Sequence, residues 1–313
     1  MRSRAADGRE SVLVALLGQG VGPSLTPPMH EREADRHGLR YVYKVVDLDD
    51  RQVGADHLRQ LLDAAVELGF DGLNVTHPIK HTMMPLVDEL GPEVERIGAL
   101  NTVLVRDGRT VAHNTDLTGF TRAFREGLPD ADLTDVVLLG AGGAGTAVAH
   151  ALSDLGAITL HVVDPDLARA DGLRASLTAA GSGVDVRTSD PGALESVLTT
   201  TSGVVNATPV GMAHHPGSPV PDTLLTPRLW VADIVYRPLT TELLRTARAR
   251  GCPTLSGAGM AVNQAADTFE LLTGRPAHRE EMFRDFDEMV SSEVADVDTP
   301  VPPSRETSGE RNP

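Results

Sequence analysis

Aromatic side chains are scarce in this chain: one Trp, three Tyr and six Phe in 313 residues. So few large flat rings, set beside 30 glycines, suit a turn-rich α/β enzyme better than an all-β sandwich. Cysteine is nearly absent. Cys252 stands alone, so no intrachain disulfide can form, which fits a reducing cytoplasm. Before a strand-like run, it reads as a small buried hydrophobe. Basic residues are outnumbered 28 to 44, for a net charge of −16. Such a surface repels phosphate backbones and anionic lipid, which argues against nucleic acid and membrane partners. It also gives an anionic substrate no bulk steering, so recognition of a carboxylate must be local. Long hydrophobic runs are missing too. Val12–Leu17 is far short of the roughly 20 residues of a membrane span, and it reads as a first strand. No metal-ligand spacing stands out. His214 and His215, beside Pro216 and Gly217, read as a surface loop, so no metal is expected.

What is present supports two packed domains, on a prior of roughly 100–200 residues each. No internal repeat is apparent. Strand and helix signals alternate through the first third: strands at 11–17, 41–46, 72–75 and 100–106, helices at 28–37 and 56–68. In the second helix Leu58, Leu61, Leu62, Ala65 and Val66 share one face. Alternation of this kind predicts parallel β-α units. From Asp116 a second unit follows, with helices at 117–127 and 146–155 and strands at 135–139, 158–163, 204–206 and 230–235. Helices are expected at 259–272 and 279–290. The fold class is therefore α/β, with an N-terminal α/β substrate domain and a doubly wound, Rossmann-type nucleotide domain. The termini, 1–10 and 291–313, are polar and poor in large apolar residues, and are expected to be disordered.

The densest motif is Gly140-Ala141-Gly142-Gly143-Ala144-Gly145, a G-x-G-x-x-G between an apolar strand and an Ala-rich helix. The first glycine allows a tight turn, the second a close approach of pyrophosphate, and the third helix-on-strand packing. The helix N-terminus adds free N–H groups and a positive dipole end. Asp164 ends the next strand, 24 residues beyond Gly140, near the position of the acid that binds an adenosine ribose. A carboxylate there favours NAD and repels the 2′-phosphate of NADP. Arg169 lies nearby and is a candidate to flank the adenine. The alternative is that Asp164 only caps the following helix.

Three further segments cluster polar residues at strand ends: Ser24-x-Thr26-Pro27, Asn74-Val75-Thr76-His77-Pro78-x-Lys80, and Gly98-Ala99-x-Asn101-Thr102 with Asn114-Thr115-Asp116. Each has a plain reading as turn residues, a solvated lysine or a helix cap. In order, with Asn206-Ala207-Thr208-Pro209, Asp233-x-x-Tyr236 and Gly257-x-Gly259-Met260-x-x-x-Gln264-Ala265, they resemble the shikimate dehydrogenase family from about residue 16 to 286. The resemblance implies two α/β domains with the active site between them: a substrate domain from 11–115 and 260–290, and an NAD domain from 116–259. It implies that Ser24 and Thr26 hold the substrate carboxylate. Thr76, Lys80, Asn101, Asp116 and Gln264 would hold the ring hydroxyls, and Tyr236 would contact the substrate. Asn206, Thr208, Val235 and Gly257 would line the cofactor.

Ser-x-Thr in place of the family's usual Ser-x-Ser, and Asp164 in place of an NADP-reading Asn-Arg-Thr-like segment, both resemble the quinate/shikimate dehydrogenase branch. The implied reaction is hydride transfer between NAD and the ring carbon bearing the C3 hydroxyl of quinate or shikimate. Lys80 would exchange the hydroxyl proton and Asp116 would orient it. A homodimer in the cytoplasm is the expected assembly. Three alternatives stay open: an NADP-linked biosynthetic shikimate dehydrogenase, a folate-type dehydrogenase of related architecture, and an NAD-binding regulatory module without turnover.

Overall fold

The computed structural model describes residues 8–48 and 53–297, and among them two six-stranded sheets form. In chain order the first lobe runs β1 (Ser11–Gly18), α1 (Thr26–Arg36), β2 (Arg40–Asp47), α2 (Ala55–Glu67), β3 (Gly72–Val75), β4 (Glu89–Leu90), α3 (Pro92–Ile97), β5 (Thr102–Arg106) and β6 (Arg109–His113). The second runs α4 (Thr115–Gly127), β7 (Asp135–Leu139), α5 (Gly143–Leu155), β8 (Thr159–Val163), α6 (Leu167–Ala179), β9 (Asp185–Ser189), α7 (Leu194–Leu198), β10 (Gly203–Asn206), β11 (Trp230–Asp233), α8 (Glu242–Ala249) and β12 (Thr254–Ser256). Helices α9 (Gly257–Thr273) and α10 (Arg279–Val297) follow.

The second sheet is parallel throughout, in the order β12-β11-β10-β7-β8-β9. Counted from β7 this is the doubly wound 3-2-1-4-5-6 arrangement, whose strand order reverses between β7 and β10. A strand covered on both faces needs a continuous apolar run, and β7 has one. Its Val136 and Leu138 pack with Phe120, Phe124, Ala147 and Leu152, while Val137 and Leu139 face Leu243, Leu244, Ala247 and the buried Cys252.

The first sheet departs from the expected parallel pattern. Its order is β2-β1-β3-β5-β6-β4, and β5 runs antiparallel to both β3 and β6. The β5–β6 pairing is a tight hairpin at Asp107-Gly108, both with positive φ. Asp-Gly between apolar runs is a strong two-residue hairpin signal, and strand alternation alone passes over it. The terminal expectations shift as well. Glu10 pairs with Arg275, and α10 spans Arg279–Val297, seven residues past the expected helix end at 290. The expectations for 1–7 and 298–313 lie outside the described residues.

Helix α1 is tied to the α9–α10 turn by a fully buried carboxylate. Glu33 Oε1 accepts from His278 N (2.8 Å), His278 Nδ1 (2.8 Å) and His37 Nε2 (3.1 Å), and Oε2 accepts from Arg36 (2.8 Å). Burial opposes its charge, but the hydrogen bonds from His278 and Arg36 outweigh that and hold it below the ordinary carboxylate range. One turn earlier, His30 is buried against Tyr41, Tyr43 and Phe269, and burial pushes its pKa down to about 3. Between the ordinary value near 6.5 and about 3 the unfolded chain binds a proton at His30 that the folded chain does not. Stability should therefore fall on acidification from pH ~6.5, by up to about 1.4 kcal/mol per pH unit from this group. Glu33 adds to the loss only below the ordinary carboxylate range. Urea unfolding of His30→Leu at pH 7, 6 and 5 checks the assignment: the variant's slope should be visibly flatter. An unchanged slope would place the acid sensitivity elsewhere.

Candidate active site

The registers of the first sheet bring the singled-out polar residues to one edge. Leu16 pairs with Asn74, Asn74 with Thr102, and Thr102 with His113. The segments after β1, β3 and β6 and the segment before β5 therefore share one rim. The loop after β1 is laced to the loop after β3 by Gln19 N donating to His77 O (3.0 Å) and Thr76 N to Leu17 O (3.0 Å).

On this rim Lys80 Nζ donates to Asp116 Oδ2, with side chains only 12% and 9% exposed. Such burial excludes the reading of Lys80 as a solvated lysine. Nor does Asp116 cap its helix. That role falls to Asn114, whose Oδ1 accepts from Asp116 N (3.0 Å) and Leu117 N (3.3 Å). Asp116 is thus free to face the rim from the first turn of α4, where the helix dipole favours a carboxylate. Its other oxygen accepts from Asn101 Nδ2 (3.1 Å). An ammonium carries three donors, so Lys80 retains hydrogens for a further acceptor.

Ser24 and Thr26 sit at the start of α1. Pro27 and Pro28 follow, so most backbone N–H groups of the first turn are missing, and Thr26 N is taken by Ser24 Oγ (3.3 Å). An anion here must be met chiefly by the two hydroxyls. Gln264 lies on α9, which packs against α4 at very short range: a Cβ on Gly119 would lie 2.9 Å from Gln264 N. The Gln264 amide donates to Ala261 O (3.0 Å) within its own helix. Tyr236 packs against the cluster of Leu25, Met29 and Phe286, and its neighbour Arg237 donates to Pro23 O in the loop that carries Ser24.

Across the cleft, Gly140–Gly145 follows β7, and α5 begins at Gly143, three residues earlier than Thr146, because the glycines themselves make its first turn. Gly140 has φ +95°, and a Cβ on Gly145 would come 2.0 Å from Gly140 O, so the helix can seat on the turn only without that atom. A Cβ on Gly142 would meet nothing within 4 Å, which leaves the face that a dinucleotide pyrophosphate would approach open. These features fit a nicotinamide dinucleotide. Asp164 does not cap α6, since Asp166 does so through Ala168 N. Instead its carboxylate accepts from Ala141 N (2.8 Å) in the glycine loop and from Asp166 N (2.8 Å). Arg169 is exposed and pairs with Asp166 (3.3 Å).

Asn206, Thr208, Val235 and Gly257 all lie at carboxyl ends of the parallel strands, but Asn206 is fully buried. Its amide binds Asp233 (2.9 Å), Val210 O (2.9 Å) and Thr208, which makes it a support beneath the loop rather than a surface. Burial pushes the Asp233 carboxyl up, against hydrogen bonds from Thr241, Val235 and Asn206. The lobes meet at the centre: a Cβ on Gly143 would lie 3.2 Å from Lys80 Cδ. Beside it, burial and then the positive charges of Lys80 and Arg169 hold His77 below its ordinary pKa.

Reading the sequence did not single out Thr268, Gly119 or a capping role for Asn114. Only the capping role had a signal, an Asn before a helical run.

Residues 16–103 match the sequence profile of the shikimate dehydrogenase substrate binding domain. A Streptomyces avermitilis protein named shikimate dehydrogenase (NADP(+)) is 53% identical over 91% of this chain and 98% of its own. A Corynebacterium efficiens protein named quinate/shikimate dehydrogenase (NAD(+)) is 48% identical over 85% of this chain and 94% of its own. Among solved structures, quinate dehydrogenase from Corynebacterium glutamicum in complex with NAD superposes with a TM-score of 0.83 at 45% identity, covering 89% of this chain and 99% of that one.

Proposed function

This chain belongs to the shikimate dehydrogenase family of oxidoreductases, and from that premise we propose that it is an NAD-linked enzyme that oxidises the C3 hydroxyl of quinate and of shikimate, reversibly, to the 3-dehydro ketone. The observation that carries the reading is the buried Lys80–Asp116 pair set against the glycine-rich loop. In the proposed roles Ser24 and Thr26 hold the carboxylate, Thr76, Asn101 and Gln264 meet ring hydroxyls, and Tyr236 borders the ring. Lys80 takes the C3 hydroxyl proton, and Asp116 holds the amine in place for it. The bound nicotinamide accepts the hydride, so the protein's part is positioning and proton transfer. Gly140–Gly145, Asp164 and Arg169 would bind the dinucleotide, and Asn206, Thr208, Val235 and Gly257 would shape the loops around it. The proposed units are 11–115 with 260–290 for substrate and 116–259 for cofactor.

A second reading, an NADP-linked shikimate dehydrogenase, is favoured by the name of the Streptomyces avermitilis relative. Steady-state kinetics with both substrates and both cofactors separates the two. Quinate and shikimate differ at C1, tetrahedral with an added hydroxyl in one and planar in the other, so discrimination falls on the residues around the carboxylate. Among the described residues the hydroxyls at the start of α1 are those of Ser24 and Thr26, which suit a carboxylate common to both substrates, so both should turn over. The Thr26 methyl restricts its rotamer. Thr26→Ser should therefore move the kcat/KM ratio toward shikimate. Absence of quinate oxidation by the wild type would remove the quinate assignment, and an unchanged ratio would show that Thr26 is not the discriminator.

A further inference from the structure

Asn101 lies at the centre of a closed ring of hydrogen bonds whose direction can be assigned from donor chemistry alone. Asn101 Oδ1 accepts from Thr115 N (2.9 Å). This fixes which end of the amide is oxygen and leaves Nδ2 facing Asp116 Oδ1 (3.1 Å) and Thr115 Oγ1 (2.8 Å). The Thr102 hydroxyl must give its one hydrogen to Asn101 Oδ1 (3.1 Å), and it accepts from Asn74 Nδ2 (3.0 Å). Thr268 Oγ1 lies 3.2 Å from Thr102 Oγ1 and 3.0 Å from Thr115 Oγ1. Since the Thr102 hydrogen is already placed, Thr268 must donate to Thr102. Thr115 must then donate to Thr268. The circuit therefore runs one way, from the Asn101 amide N–H to Thr115, to Thr268, to Thr102 and back to the Asn101 carbonyl. Every member is buried.

Only Thr268 comes from a distant part of the chain. It projects from α9, four residues and so about one turn beyond Gln264 on the same helix face. That helix is fixed against α4 by the close approach at Gly119. The ring connects the seating of α9 to the orientation of one amide, and that amide holds Asp116 Oδ1 while Lys80 engages Oδ2.

We propose that Thr268 is a positioning residue for the proton-handling pair: through Thr102 and Thr115 it locks the Asn101 amide, which in turn holds the Asp116 carboxylate in register with Lys80. The proposal rests on the dehydrogenase reading above. Thr268→Val keeps the side-chain volume and deletes the hydroxyl. Thr115 then has a buried hydrogen without an acceptor, a costly state. Turning about χ1 toward another acceptor withdraws its oxygen from Asn101 Nδ2. The amide is released, and Asp116 with it. Thr268→Ser restores the hydroxyl and should restore the lock.

The test is steady-state kinetics of the full chain with quinate or shikimate and NAD. Thr268→Val should lower kcat about 10-fold, the order expected when a reacting group is misplaced by a fraction of an ångström, with KM for NAD within about 2-fold. Thr268→Ser should return to within about 3-fold of wild type. In an Asn101→Ala background the Thr268→Val step should shrink to less than about 2-fold, because the group it acts through is gone. A purely structural role would lower the melting temperature and leave the same kcat step in both backgrounds. Wild-type kcat in Thr268→Val, failure of Thr268→Ser to rescue, or full additivity with Asn101→Ala would each overturn the proposal while leaving the dehydrogenase reading intact. A wild type that turns over neither substrate would overturn both.

Discussion

Lys80→Met is expected to lower kcat for quinate and shikimate by about 10²–10⁴-fold, the usual range for a positioned acid–base group, while NAD affinity changes little. Methionine is the informative replacement because of the contact across the cleft. The aliphatic stem of Lys80 runs alongside Gly143 of the glycine loop, so a truncation to alanine would remove both an amine and a packing surface. Methionine keeps an apolar chain of similar length and deletes only the ammonium. In the wild type that ammonium is anchored by Asp116, itself held by Asn101 and presented by the first turn of α4. Asp116→Asn should lower kcat too, since the amide no longer carries the charge that holds Lys80. Steady-state turnover beside NAD binding by protein fluorescence or calorimetry separates the two effects. If Lys80→Met keeps most of its turnover, Lys80 is not the proton carrier, and the functional reading loses its central group.

The wild type should prefer NAD over NADP in kcat/KM by about 30-fold or more. This is the discrimination expected if the Asp164 carboxylate makes a charge-assisted hydrogen bond worth about 2 kcal/mol or more to a ribose hydroxyl. The surrounding charges point the same way: Asp166 lies two residues on, and Arg169, five residues on, is paired with Asp166. The structure changes what substitution at this position should do. Asp164 accepts from Ala141 N as well as from Asp166 N, so it holds the glycine loop in shape. Asp164→Ser should therefore narrow the preference mainly by losing efficiency with NAD, with little gain for NADP. Asp164→Asn, which keeps an acceptor for one of the two N–H groups, should fall between serine and the wild type. Equal kcat/KM for both cofactors in the wild type would sink the NAD assignment. A serine variant that gained NADP activity without losing NAD activity would show that Asp164 does not shape the loop.

The parts of the fold that were legible in the sequence are those governed by short-range backbone rules. Strands expected at 72–75 and 135–139 form at Gly72–Val75 and Asp135–Leu139, since a fully covered parallel strand is a run of apolar residues between breakers. The helix over Ala55–Glu67 follows from one apolar face repeating at 3.6 residues. Where a rule was local but was passed over, as at Asp107-Gly108, the antiparallel hairpin was missed although its signal was present.

The candidate site divides along the same line. By itself the sequence determined the two-lobed α/β class, the glycine turn that opens α5, and an ordered set of motifs that names the family. Each depends on what a few adjacent residues permit: φ at Gly140, an absent Cβ at Gly145, an acid at the end of β8. Only the tertiary structure decided which of the separately ambiguous polar residues meet. Lys80 and Asp116 are 36 residues apart, yet become an ion pair because β5 leaves the rim antiparallel to β3 and β6 brings the chain back to it. Asp164 bonds to Ala141 across 23 residues because β7 and β8 lie side by side, and Thr268 reaches Thr115 across 153 because α9 seats on α4 at Gly119. Periodicity and propensity describe a residue's own turn or strand. They carry no information about which side chain will be opposite once loops of different length have closed, and it is there that an amide, a hydroxyl or a carboxylate acquires its partner.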